Sequence, residues 1–114
     1  MSHENFKNCI DACYACATAC DHCATECLQE ENVKEMVTCI QLDRYCADIC
    51  RLAASFMARA DGIVGDKYAM QLCNLCAQIC EECGVECDKH EADHCQQCAE
   101  ACKRCAEECR KMAG

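Results

Sequence analysis

Apolar positions recur along this chain every three or four residues, and cysteine fills most of them. Cys9, Cys13, Cys16, Cys20, Cys23 and Cys27 step by four, three, four, three and four. The alternation returns at Cys73, Cys76, Cys80, Cys83 and Cys87, and again at Cys95, Cys98, Cys102, Cys105 and Cys109. A shorter set, Cys39, Cys46 and Cys50, steps by seven and four. At about 100° per residue, a step of four advances about 40° and a step of three returns about 60°. The first set therefore stays within an arc of roughly 80°. Each set is one stripe of thiols on one helix face, where a bundle places its core.

Polar breaks divide the stripes into four segments. The first runs from about Asn5 to Glu30. Asn32 with Glu35 reads as a capping box that opens the second, which continues to about Ala60. Gly62 and Gly65 mark the longest break, after which Asp66 is placed to cap the third segment, ending near Cys87. Asp88–Asp93 is a polar turn, and Asp93 with Gln96 reads as a second capping box. Gly114 closes the chain. Connections this short favour antiparallel neighbours. The alternation averages the 3.5-residue period of a left-handed seam. The expected class is all-α: an up-down-up-down antiparallel four-helix bundle with a cysteine-lined core. It forms one domain over residues 1–114, with helices at about 5–30, 33–60, 67–87 and 94–111. Cys16-Ala-Thr-Ala-Cys20 and Cys98-Ala-Glu-Ala-Cys102 read as degenerate copies of one unit.

Composition agrees. The 114 residues include 19 cysteines, no proline and only four glycines. Ala, Glu, Lys, Gln and Leu fill the intervals and favour helix. There is no run of 18 or more apolar residues, so no membrane span is expected. Met1–Asn8 is polar and reads as no secretory leader. The expected compartment is the cytosol, where thiols stay reduced. A net charge of −9 argues against nucleic acid and fits a solubilising surface.

The period of the second segment gives Met36, Cys39, Asp43, Cys46, Cys50, Ala53 and Met57, so one carboxylate falls on the thiol face. A buried carboxylate needs a proton, a partner such as His or Lys, or a metal. Antiparallel order gathers Cys27, Met36, Cys39, Cys87 and Cys95 at one end, with His90 and His94 in the adjoining turn. Cys9, Met57, Met70, Cys73, Cys109 and Met112 share the other end, where Met57, Met70 and Met112 read first as hydrophobic plugs and second as transient Cu(I) contacts. His3 precedes the first helix, and His22 lies one residue off the stripe, as a surface residue would. Leu42, Tyr45, Ile49, Leu52 and Phe56 form a second apolar stripe on the second helix; Leu72, Leu75 and Ile79 form a shorter one on the third. They serve either packing between neighbouring helices or a subunit interface.

Several chemistries use dense thiols. A core of cysteines acting only as small hydrophobes would be poorly packed. A disulfide framework conflicts with the odd count and with neighbours that project in parallel from one helix, although cross-helix bridges remain geometrically possible. Zinc sites use two local pairs brought together by turns. Cys9-x3-Cys13-x2-Cys16 matches an iron–sulfur spacing that is generic to such a ladder, and ferredoxin-like runs carry a proline that this chain lacks. Cu(I) prefers thiolate and accepts two or three sulfurs. Two metal–sulfur bonds of about 2.3 Å span up to about 4.6 Å between sulfurs, so pairs three or four apart can clamp one ion after small rotamer changes. One thiolate per Cu(I) leaves a neutral core; Zn²⁺ at that ratio leaves a large positive charge. Bridging suggests about one Cu(I) per cysteine, on the order of 19. Loading releases protons from the thiols. The reading is Cu(I) storage and detoxification without catalysis, since no Ser/His/Asp set, phosphate loop or isolated Cys–His pair is present. The alternatives are a thiol-redox protein and a zinc or iron–sulfur protein.

The chain resembles the bacterial copper storage proteins, particularly their cytosolic branch, over its whole length. The most specific segments are Cys39-Ile-Gln-Leu-Asp-Arg-Tyr-Cys46-Ala-Asp-Ile-Cys50 and Cys83-Gly-Val-Glu-Cys87-Asp-Lys-His90-Glu-Ala-Asp-His94-Cys95. The resemblance implies a four-helix bundle holding many Cu(I) ions, usually assembled as tetramers. It also implies that Asp43, His90 and His94 help to bind Cu(I) at the open end. Relatives can carry a further histidine where this chain has Ala92.

Overall fold

A computed structural model describes residues 6–113; His3, the expected helix start at Asn5 and the closing Gly114 lie outside them. Four long helices follow one another: α1 (Lys7–Cys27), α2 (Val37–Arg59), α3 (Gly62–Asp88) and α4 (Asp93–Ala113). A short 3₁₀ turn, Val33–Met36, leads into α2. Each helix packs on two ring neighbours, α1 and α3 both lying between α2 and α4. The product is a rod of 49 × 17 × 17 Å. Among the described residues no helix is long and apolar enough to cross a membrane.

The helix ends depart from the capping patterns in the sequence. Asn32 and Glu35 do meet, but Asn32 Nδ2 donates to the Glu35 carboxylate at 2.9 Å. The backbone bond from Glu35 N–H to Asn32 C=O closes a 3₁₀ turn, not the first turn of α2. α1 ends at Cys27, three residues short of Glu30. At the other end of the rod, α3 begins five residues before the expected start at 67. Its N-cap residue is the extended Asp61, and Asp66 lies inside the helix. Gly62 takes φ +88°, a left-handed value that glycine adopts at little cost. A Cβ on Gly65 would sit 3.1 Å from the Ala60 backbone, so glycine there lets the chain reverse tightly and start the helix early. Among the described residues no hydrogen bond joins the side chains of Asp93 and Gln96 at the start of α4. Gln96 Nε2 instead donates to the carbonyls of His90, at 2.7 Å, and Asp88, at 3.3 Å, satisfying the end of α3.

The core is the thiol ladder. All 19 cysteines are buried and free. Small residues let the helices close on it: Ala12, Ala17, Ala47, Ala53, Ala54, Ala69 and Ala77 are almost fully buried. Gly84 brings α3 against α4, since a Cβ there would lie 3.3 Å from that of Cys102. Phe6, Met57 and Met36 are buried beside the thiols, Met112 packs partly buried against the core, and Met70 is partly exposed. The second stripe of α2 divides: Ile49 is buried, Leu42 and Phe56 pack against the core, and Tyr45 and Leu52 face outward. On α3, Leu72 and Ile79 pack inward and Leu75 is exposed.

Candidate metal centre

Helix periodicity aims every stripe at one axis, so thiols from different helices meet. α1 and α4 are joined by Cys9–Cys109, Cys13–Cys105, Cys16–Cys102 and Cys20–Cys98, with Sγ separations of 3.6 to 3.7 Å. α2 and α3 are joined by Cys39–Cys87 at 3.4 Å, Cys46–Cys80 at 3.5 Å and Cys50–Cys76 at 3.6 Å. Contacts also cross the tube: Cys46 reaches Cys102 at 3.9 Å and Cys50 reaches Cys105 at 3.8 Å.

Within a helix the sulfurs that meet are four residues apart. Cys16–Cys20, Cys23–Cys27, Cys46–Cys50, Cys76–Cys80, Cys83–Cys87 and Cys98–Cys102 lie at 3.8 to 4.0 Å. Among the described residues no Cys-x-x-Cys pair makes such a contact, although the sequence ranks both spacings alike. A step of three swings about 60° across the stripe, and a step of four only about 40°.

The sulfurs gather into groups of four. Cys13, Cys76, Cys105 and Cys109 lie within 4.8 Å of one another; so do Cys16, Cys20, Cys46 and Cys102, and so do Cys23, Cys27, Cys39 and Cys95. A Cu(I) ion with two metal–sulfur bonds of about 2.3 Å spans such gaps with little movement. The donors are soft, buried and reduced, which suits Cu(I). Deprotonated thiols accept hydrogen bonds from protonated neighbours. Bonds from Cys23 and Cys87 thus lower Cys39, while burial first and Cys39 second push Cys95 up to about 11.

Asp43 sits inside this network with no exposed surface. Its partners are thiols, where the sequence left open a His, a Lys or direct ligation. Cys98, Cys83 and Cys87 donate to Oδ1 at 3.2, 3.3 and 3.4 Å, and Cys39 approaches Oδ2 at 3.9 Å. Burial, the largest cause, pushes its carboxyl up to about 10. The group holds a proton at neutral pH and can become an oxygen ligand on losing it.

The two histidines take different places. His94 Nδ1 faces the thiols of Cys95, Cys23 and Cys27 at 3.5, 3.6 and 3.9 Å, and its Nε2 meets Glu30 at 2.9 Å. This is the arrangement of a metal-binding imidazole oriented by a carboxylate behind it. His90 is turned aside, Nε2 meeting Glu86 at 3.0 Å, and among the described residues no thiol hydrogen-bonds to it. Glu30 and Glu86 were not singled out in the sequence. Glu86 lies one turn before His90, a spacing that could have marked it; Glu30 is 64 residues from His94 and carries no local sign. His22 is exposed.

A family model described as copper storage protein matches residues 2–114. In structure the chain is similar to the Cu(I)-bound copper storage protein BsCsp3, with 49% identity and a TM-score of 0.88, over 96% of this chain and 99% of that one. It is also similar to a cytosolic copper storage protein from Streptomyces lividans loaded with five coppers, with 36% identity and a TM-score of 0.92, over 97% and 93% of the two chains. In sequence it is 51% identical over 79 residues to the uncharacterized cysteine-rich protein YhjQ of Bacillus subtilis, spanning 69% of this chain and 68% of that protein. The match over nearly all of the chain and a tube of reduced thiols lead to one assignment: this chain belongs to the copper storage protein family.

Proposed function

We propose that the chain stores and sequesters many Cu(I) ions inside the bundle, about one per cysteine, without catalysing a reaction. One observation carries this reading: all 19 thiols are buried and unbridged, in a network of short sulfur–sulfur contacts. The ligands are the 19 cysteines, with Asp43 and His94 completing the set at the His-bearing end and His90 beside them. Copper enters at that end, where His94 stands partly exposed before Cys23, Cys27 and Cys95. Each ion that binds a protonated thiol displaces its proton, so the loaded core approaches neutrality.

The setting is the cytosol, as stated for the Streptomyces lividans protein, and reduced thiols fit it. Tetramers built through the outward face of α2 complete the proposal. Anaerobic titration with Cu(I) against a competing chelator, with the mass of the loaded protein, tests the reading. Uptake on the order of 19 ions is expected. Fewer than about five, or a preference for zinc or iron, would overturn it. Turnover of a disulfide substrate by the metal-free protein would favour thiol-redox chemistry instead.

A further inference from the structure

The end of the tube opposite His94 receives a sulfur from every helix: Cys9 from α1, Met57 from α2, Cys73 from α3 and Cys109 from α4. Three are thiols, and Cys9 and Cys109 lie 3.6 Å apart. Cys73 interacts with both. The fourth is a thioether, seven residues beyond Cys50 on the same stripe of α2. Met57 is fully buried, and the Cys73 S–H points at its Sδ at 3.5 Å. Filling space alone does not require the sulfur to face a thiol.

We infer that Met57 is a Cu(I) ligand that shares one ion with Cys73 at the end of the tube. The inference rests on the storage reading and adds a thioether to its ligand set. Thioether sulfur is a soft donor suited to Cu(I). Two bonds of about 2.3 Å at a trigonal angle set two sulfurs about 4.0 Å apart. From 3.5 Å the pair need open by only about half an ångström, within reach of a flexible methionine. The Cys73 thiolate neutralises the ion, and the thioether adds a donor without releasing a proton. The chain thus offers 19 cysteine sulfurs and one methionine sulfur to its cargo.

The test is X-ray absorption at the selenium edge of selenomethionine-labelled protein saturated with Cu(I) without oxygen. A selenium–copper vector near about 2.4 Å, slightly longer than the sulfur bond, is expected in the wild type. It should vanish in Met57→Leu and persist in Met36→Leu. Leucine keeps the side-chain volume, and an unchanged circular dichroism spectrum establishes that the variant is folded. Met57→Leu should also bind about one Cu(I) equivalent less. Absence of the vector in the wild type, or its persistence in Met57→Leu, overturns the assignment. The copper edge of the same sample separates the two readings: copper–sulfur scattering from many ions without copper–selenium scattering removes Met57 alone, whereas failure to take up many ions removes storage as well.

Discussion

The Asp43 carboxyl lies 3.2 Å from the Cys98 thiol, its closest partner, and the contact joins α2 to α4 across the tube. A carboxyl in this position is stable only with its proton. Its value is raised to about 10 from 3.8, chiefly by burial. The folded protein then holds a proton that the unfolded chain loses. The stabilisation is complete below pH 3.8 and declines as pH rises through the window up to about 10. At pH 7 the loss is at most about 4 kcal/mol. Metal-free Asp43→Asn should therefore be more stable than wild type at pH 7 to 9, with a flatter pH dependence. Denaturant titrations under reducing conditions check this; an equal pH slope in the two proteins would show that Asp43 is ionised in the fold.

The unequal histidines give separable outcomes. His94→Ala should slow Cu(I) loading several-fold with nearly unchanged capacity, because one imidazole is lost beside 19 thiols. His90→Ala should have the smaller effect, since its ring is engaged by Glu86. Glu30→Gln should slow loading by about tenfold or less, through the orientation of His94. Stopped-flow absorbance of the forming copper–thiolate chromophore measures all three. Equal rates in His94→Ala and wild type would contradict loading at that end.

Gly84 sets how closely α3 and α4 approach. A valine there has no room beside Cys102 and Ala99, and Gly84→Val should destabilise the metal-free protein by about 1–3 kcal/mol. Gly84→Ala should cost less, because better helix propensity offsets part of the clash. Thermal melts of both variants decide; a valine variant as stable as wild type would mean that the helices separate freely.

The outward residues of α2 provide the test of assembly. Leu52 is 46% exposed and Tyr45 66% exposed, so a charge at either leaves the core intact. Leu52→Glu and Tyr45→Glu should lower the particle mass in solution, measured by light scattering. Phe56 packs against the core, and a charge there would disturb folding as well as assembly. A mass unchanged by both substitutions would place any interface elsewhere.

Cysteine spacing alone specified the helices, the faces they bury and the soft-metal chemistry of the core. A step of three or four residues has one meaning on a 3.6-residue helix, and few other residues share the thiol's combination of apolar packing and copper affinity. Asp43 was visible as an exception to that pattern for the same reason. The sequence could not say what Asp43 touches or which histidine faces the thiols. These depend on distances across 40 or more residues, as between Asp43 and Cys83 or between His94 and Glu30. Side chains on different helices are brought together only by packing. Capping patterns failed for a related reason: the Gln96 side chain bonds carbonyls at the end of α3, which the turn brings beside it. Periodicity is a local property written into the chain; the partners of each thiol, carboxyl and imidazole are set by how four such helices close on one another.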